Sequence, residues 1–297
     1  MQGLRDILER AEKDRAAIGH FNVADLVLLK AVFAAARELN VPVLVGASEQ
    51  ERKFMGLRQI AALVRSLRDE FDFPIYLNAD HTHSLSGALE AAEAGFDAVV
   101  FDASALPFER NVRSTKEAVE ALKGINPAIL VEGELGDIGT GSEIHEQAPD
   151  LAKGLTDPAQ AKDFVDATGV DILAPAVGNM HGMLRTMVQG EAKKHLDIPR
   201  IAAIKRSTQA LLTLHGGSGT NDDDLRSAIE AGINVVHINT ELRVAWRNGL
   251  AQTLAREPDE IVPYKVLPAV VQLVERVVRT RMSLFSGRQS EAQGTDS

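Results

Sequence analysis

Ala17-Ile18-Gly19-His20-Phe21-Asn22-Val23-Ala24-Asp25 is the stretch on which the fold turns. Its apolar run reads as a strand, and Asn22-Val23-Ala24-Asp25 supplies a helix start. In the following Leu26–Leu39, Leu26, Leu29, Lys30 and Phe33 alternate polarity as a half-buried helix does. A strand that runs directly into a helix begins a βα unit of a parallel sheet. Two architectures start this way. A doubly wound open sheet places a Gly-rich phosphate turn after its first strand. Gly19-His20-Phe21-Asn22 is no such turn, which favours a closed barrel.

The same alternation continues along the chain. Further candidate strands, each with its following loop, are Pro42–Gly46, Pro74–Asn78, Ala98–Asp102, Ala128–Glu134, Asp171–Pro175, Leu211–His215 and Asn234–Ile238. Helix starts are marked by Ser84 before Leu85, by Thr156-Asp157-Pro158 and by Thr220-Asn221-Asp222. Eight units at about 31 residues each match the (β/α)8 TIM barrel. The strands are too apolar for a sheet with one wet face, as expected where helices cover it. Pro263–Phe285 reads as one more amphipathic helix outside the barrel. The expectation is a single catalytic barrel domain over residues 1–286 and a polar, frayed tail over 287–297.

Composition narrows the function. The 297 residues are 45% hydrophobic and 25% charged and contain no cysteine. Disulfides and thiolate chemistry are thereby excluded, and any metal must be held by His, Asp or Glu. The net charge of −10 argues against sequence-independent nucleic-acid binding. A phosphorylated small molecule remains possible, because backbone N–H groups at a helix N-terminus can hold phosphate without many lysines. No apolar run is long enough to span a membrane. Met1-Gln2-Gly3-Leu4-Arg5-Asp6 has no basic region followed by an apolar one, so no secretory signal is expected, and the cytoplasm is the expected compartment.

In a barrel, function sits at the C-terminal ends of the strands. Those ends carry Asp80-His81-Thr82-His83, Asp102-Ala103-Ser104, Glu132-Gly133-Glu134, Asn179-Met180-His181-Gly182, His215-Gly216-Gly217-Ser218-Gly219 and His237-Ile238-Asn239-Thr240. Asp80 and His81 are leaving their strand, so both can turn over the mouth. Glu132 and Glu134 are expected to alternate, with only one facing the barrel axis. Of the eight histidines, five (81, 83, 181, 215 and 237) sit at ends that converge on one mouth. His81, His181 and His215 would make an open three-imidazole site for zinc or another divalent metal, and His83 and His237 stand near enough to enter the set. The metal would polarise a carbonyl or activate water. Asp80 is placed as a general base, or as a carboxylate that orients an imidazole. Gly216-Gly217-Ser218-Gly219, just before a helix start, lies where barrels commonly bind phosphate.

With these motifs in order, the chain resembles the class II fructose-bisphosphate/tagatose-bisphosphate aldolases, the zinc-dependent ketose-bisphosphate aldolase family. The likeness runs from about Leu4 to Phe285 and is nearest the tagatose-type branch. It rests on Phe21-Asn22, Ser48, Asp80-His81, Asp102-Ala103-Ser104, Glu134-Leu135-Gly136, His181-Gly182, the His215 glycine loop and Thr240-Glu241-Leu242. The resemblance implies that His81, His181 and His215 hold zinc, with Asp102 and Glu134 as alternative ligands. It implies that Asp80 removes a proton from dihydroxyacetone phosphate, zinc stabilising the enediolate. Gly182, Gly216, Gly217, Ser218 and Thr240 would cradle the phosphate, in many members around a monovalent cation (Na+ or K+). Asn22 and Ser48 would touch substrate, and Glu143 is the nearest match to an acidic loop residue that handles the aldehyde oxygen. His237 stands where the family usually has Asn, ahead of Asn239 and Thr240, and His20 where a small residue or Pro is common. A homodimer or homotetramer is the family's usual assembly.

The function expected is reversible aldol cleavage of a ketose phosphate. A metal-dependent sugar-phosphate isomerase or hydrolase on the same site, or a non-catalytic ligand-binding relative, are the competing readings. A Schiff-base aldolase needs a lysine at a strand end inside the barrel, and those ends have none. Lys205 and Arg206 are the basic residues nearest strand 7 in sequence and so candidates for a second phosphate.

Overall fold

The structure, a computed structural model, describes residues 2–139, 141–147 and 154–287. Eight parallel strands close on themselves: Ile18–Asn22, Val43–Ala47, Ile75–Thr82, Ala98–Phe101, Leu130–Leu135, Ile172–Pro175, Leu211–Leu214 and Ile233–Ile238. Neighbours in the ring are neighbours in the chain, and the first strand meets the last with His20 beside His237. This is the expected (β/α)8 barrel, with Pro263–Phe285 as a helix outside it.

Local chemistry sets the helix starts. Asp25 accepts from Leu28 N, Ser84 from Gly87 N, Asp157 from Ala159 N and Gln160 N, and Asn221 from Asp223 N and Asp224 N. Each bond satisfies an amide that the first helical turn leaves without a partner. Within Leu26–Leu39, Leu29 and Phe33 turn inward, while Leu26 in the first turn is exposed.

The helix Leu4–Lys13, ahead of the first strand, forms no βα unit. Its Leu4, Ile7, Leu8 and Ala11 join Ile18, Leu44, Tyr76, Ala98, Leu130, Ile172, Leu211 and Val235, one residue from each strand, in a single apolar cluster. The helix therefore plugs the foot of the barrel. Above that layer, period-2 alternation brings polar side chains inward: His20, Asn78, Glu132, Thr213 and His237, all buried.

Two short strands, Ile144–His145 and Met183–Leu184, pair in parallel and tie together the loops after strands five and six. No helix among the described residues is long and apolar enough to cross a membrane. Of the polar stretch at 287–297, only Gly287 lies within the described residues. Lys205 does not approach the mouth. It donates to Ala210 O and pairs with Glu12 of the plug helix at the opposite end.

Candidate active site

The third strand continues through Thr82, farther than its apolar run. Its pairing with the fourth strand slips between Ala79 and Thr82, and His81 there takes a φ of 41°. A left-handed residue in a strand breaks the alternation of faces. Asp80 and His81 thus both reach the mouth without the strand having ended.

Three imidazoles meet above the barrel. His81 Nε2 lies 3.1 Å from His181 Nε2 and 3.1 Å from His215 Nδ1. The far nitrogen of each ring is held by an oxygen. Asp102 Oδ2 takes the proton of His81 Nδ1 at 2.9 Å, Gly139 O that of His181 Nδ1 at 2.8 Å and Glu132 Oε1 that of His215 Nε2 at 2.6 Å. In the neutral rings the near nitrogens then carry lone pairs facing one another, an arrangement that a cation would satisfy. Tetrahedral zinc with bonds of about 2.0–2.1 Å holds its nitrogens roughly 3.3 Å apart, close to the spacing found. Burial acts against charge on His81, but Asp80, Asp102 and Glu134 outweigh it and push the ring up to about 10. Burial, with His81 and His215, brings His181 down to about 3. His83 stays outside: it is exposed and bonded to Glu49 through N and Nδ1.

Glu132 and Glu134 both face the barrel interior, contrary to the expectation that only one would. Residues two apart in a strand share a face. Glu132 binds His215 and Thr213 Oγ1, and Glu134 Oε2 stands 3.7 Å from both His81 Nδ1 and His215 Nδ1. Burial and the neighbouring Asp102 push Glu134 up to about 7. Glu134 and Asp102 can thus both join His81 around an ion.

Asp80 is buried beside the triad, 3.9 Å from His81 Nε2. Asn22 Nδ2 donates to its Oδ2 at 2.9 Å and fixes the carboxylate, while Oδ1 has no hydrogen-bond partner in the protein and lies 3.4 Å from His237 Nδ1. Burial favours its neutral form, yet His81, His237 and His20 outweigh this and hold it well below the usual carboxylate range. His20, His237 and His215 form a stacked column, with ring centroids 3.5 and 4.1 Å apart. Gly46 makes room for it: a Cβ there would stand 2.0 Å from His20 Cε1. Burial drives His20 down to about 4 and His237 well below its ordinary value, so both rings are neutral.

The pocket above is lined by Asn22, Asp80, the triad's His81 and His181, Ser142, Gly182, Gly216, Ser218, His237, Asn239 and Thr240. Gly216 has φ 61°, and a Cβ on it would stand 2.1 Å from Met180 O, so only glycine lets these two loops touch. Ser218 Oγ accepts from Asn239 N and Glu241 N, and Gly217 N donates to His237 O, which joins the last two loops. Three residues expected here, Gly217, Ser48 and Glu143, stand off the wall. Ser48 caps Glu49–Met55 and donates its N–H to Glu51 Oε2, and Glu143 is exposed one position beyond Ser142.

The family model described as fructose-bisphosphate aldolase class-II matches residues 2–290 of this chain. The chain belongs to the class II fructose-bisphosphate aldolase family. Fructose-bisphosphate aldolase of Thermus caldophilus is 33% identical, over 94% of this chain and 96% of its own length. 6-Phospho-5-dehydro-2-deoxy-D-gluconate aldolase of Shouchella clausii is 34% identical, over 98% and 96%. The crystal structure of the YdjI aldolase from Escherichia coli K12 superposes with a TM-score of 0.80 at 28% identity, covering 96% of this chain and 97% of the other.

Three basic residues that support this site escaped the reading of strand ends. Buried Arg52 donates to Ala47 O, Asp80 O and Thr82 Oγ1, clamping the tops of strands two and three. Arg281 of the outer helix donates to Glu241 and Asp222, and Glu241 in turn accepts Gly219 N. Lys194, in the connection after strand six, sends its ammonium under the glycine loop. Arg281 is remote in sequence from the loops it serves, and Arg52 and Lys194 lie past the strand ends on which the reading concentrated.

Proposed function

We propose that the protein catalyses metal-dependent, reversible aldol cleavage of a ketose phosphate to dihydroxyacetone phosphate and an aldehyde such as glyceraldehyde 3-phosphate. The observation that carries this reading is a carboxylate, Asp80, with one oxygen free of protein hydrogen bonds, beside three imidazole lone pairs that converge. His81, His181 and His215 would hold the ion, with Asp102 and Glu134 as alternative ligands. A divalent ion, zinc by its nitrogen donors, would polarise the substrate carbonyl as a Lewis acid.

The chain's own groups supply the rest. Asn22 holds Asp80 Oδ2, leaving Oδ1 to take the proton next to the substrate carbonyl. Because Asp80 is held ionised, it is ready as a base at neutral pH. Gly182, Gly216, Gly217, Ser218, Asn239 and Thr240 would surround the phosphate. The helix Thr240–Arg256 begins there, tied to the glycine loop through Ser218 Oγ, which accepts from Asn239 N and Glu241 N. His237, neutral and beside Asp80, would contact the ketose where the family usually has Asn. Ser48 and Glu143 would act through motion of their segments, Glu143 at the aldehyde oxygen.

Release of triose phosphate from a panel of fructose-, tagatose- and deoxygluconate-type ketose phosphates, with and without chelator, tests the proposal. Activity that chelation abolishes and zinc restores supports it; full activity in metal-free protein refutes it. Isomerisation without triose phosphate would favour the isomerase reading. Asp80→Asn should lower kcat by about 10²–10⁴ while metal content stays unchanged. Cleavage of fructose 1,6-bisphosphate would fit a glycolytic role in the cytoplasm. Exposed Leu26, Ile261 and Tyr264 lie around the outer helix and fit a contact with a second copy, and light scattering in solution reads the expected dimer or tetramer.

A further inference from the structure

Lys194 is a buried base that the aldol chemistry leaves unused. It is 3% exposed, and its Nζ donates to Met180 O at 2.8 Å, Gly182 O at 2.7 Å and Gly216 O at 2.9 Å. The acceptors come from two loops. Met180 and Gly182 flank His181, and Gly216 follows His215. The main chain of Lys194 is pinned to the same place, its N–H on Gly219 O and its carbonyl accepting from Asn221 N. Among the described residues, no lysine or arginine lines the pocket itself.

Three carbonyl oxygens that converge on one point form the donor set of a hard cation. Here an ammonium fills it with one N–H to each oxygen. A neutral amine has only two N–H groups and would leave one buried carbonyl unmet. Burial draws Lys194 down to about 7 and Glu241 opposes that loss of a proton, while in the protonated form each of the three carbonyls has its own N–H. A free Na+ or K+ cannot enter the same cage, because the space is taken and the charges repel.

We propose that Lys194 is a tethered monovalent cation: its ammonium takes the place that a free Na+ or K+ would hold behind the phosphate cradle, so that this protein needs neither. Lys194 is thus a positioning residue. It fixes the His181 and His215 loops to each other and puts a positive charge behind the segment where the substrate phosphate would sit. The inference rests on the aldolase reading only for the identity of that anion.

The test uses zinc-loaded protein in tetramethylammonium chloride, KCl or NH4Cl at equal ionic strength. It reads the melting temperature and the affinity for inorganic phosphate, neither of which needs turnover. Wild-type protein should give the same values in all three salts. Lys194→Ala, which empties the cage, should bind phosphate about tenfold or more weakly in tetramethylammonium, with affinity and melting temperature restored saturably by K+ or NH4+. Lys194→Met, neutral but filling, should lose affinity and not be restored.

A saturable response of the wild-type protein to K+ would overturn the proposal, even if the variants do not fold. So would a Lys194→Ala protein indifferent to K+, or borohydride trapping of dihydroxyacetone phosphate on Lys194. If the wild type binds no phosphate in any salt, the aldolase reading fails, while the melting temperature of Lys194→Ala still decides the cation question.

Discussion

His81 carries a φ of 41°, a conformation that costs a residue with a side chain about 1–3 kcal/mol and persists only where its surroundings over-determine it. The ring it aims is bonded to Asp102 and abuts both other imidazoles, whereas His83 two residues on faces solvent. His81→Ala should therefore lose most bound zinc and all activity, and His83→Ala should retain both, read as metal content after dialysis. Loss of zinc from the His83 variant instead would exchange their roles. The titration of His81 has a calculable effect. In metal-free protein its pKa stands at about 10 against an ordinary 6.5, so at neutral pH the ring carries a proton that a metal must displace. Zinc uptake at neutral pH should release about one proton from this ring, and affinity should rise with pH up to about 10. Calorimetry in two buffers of unlike ionisation enthalpy measures that release. From the sequence, Asp80, His181 and His215 were legible because polar residues interrupt apolar strands at their ends. Choosing His81 over His83 was not, since the choice depends on a single left-handed φ. The column of His20, His237 and His215 was equally hidden, because it needs the barrel to close before the first and last strands touch.

The outer helix Pro263–Phe285 reads from sequence as an appendage, and its boundaries were legible from its apolar spacing, with Val266, Val270, Val274 and Val278 in one buried stripe. What that spacing does not reveal is Arg281, which reaches Glu241 Nε to Oε2 at 2.8 Å and also binds Asp222. Glu241 accepts Gly219 N at 2.7 Å, so the helix steadies the glycine loop through one carboxylate. Arg281→Met should strand Glu241 partly buried and destabilise the fold by about 3–5 kcal/mol. It should also raise KM for a phosphorylated substrate more than it lowers kcat. A denaturant midpoint and steady-state kinetics check this, and an unchanged KM would confine Arg281 to stability. Strand five shows the opposite case. Its two glutamates were plain to see, but a strand's repeat of two residues puts both inside, and only the register with Thr213 and His215 shows what each one holds.

Across the whole molecule, the count of eight units was legible because every barrel strand is apolar and buried and several helix starts, those at Asp25, Ser84, Asp157 and Asn221 among them, have their own caps. The plug was not, because Leu4–Lys13 looks like any amphipathic helix until the barrel gives it a floor to seal. That seal has a consequence for biosynthesis. A segment translated early closes against residues translated much later: Leu4, Ile7 and Leu8 share a cluster with Leu211 and Val235, and Ile18 pairs with Val235. While the ribosome is still making the middle of the chain, that helix has no completed surface to dock on, and its apolar face and the bare edge of the first strand wait for the last βα unit. Closure of the barrel is thus postponed until nearly all of these strands have emerged, whereas a linear repeat protein of equal length can pack each unit on the one before it.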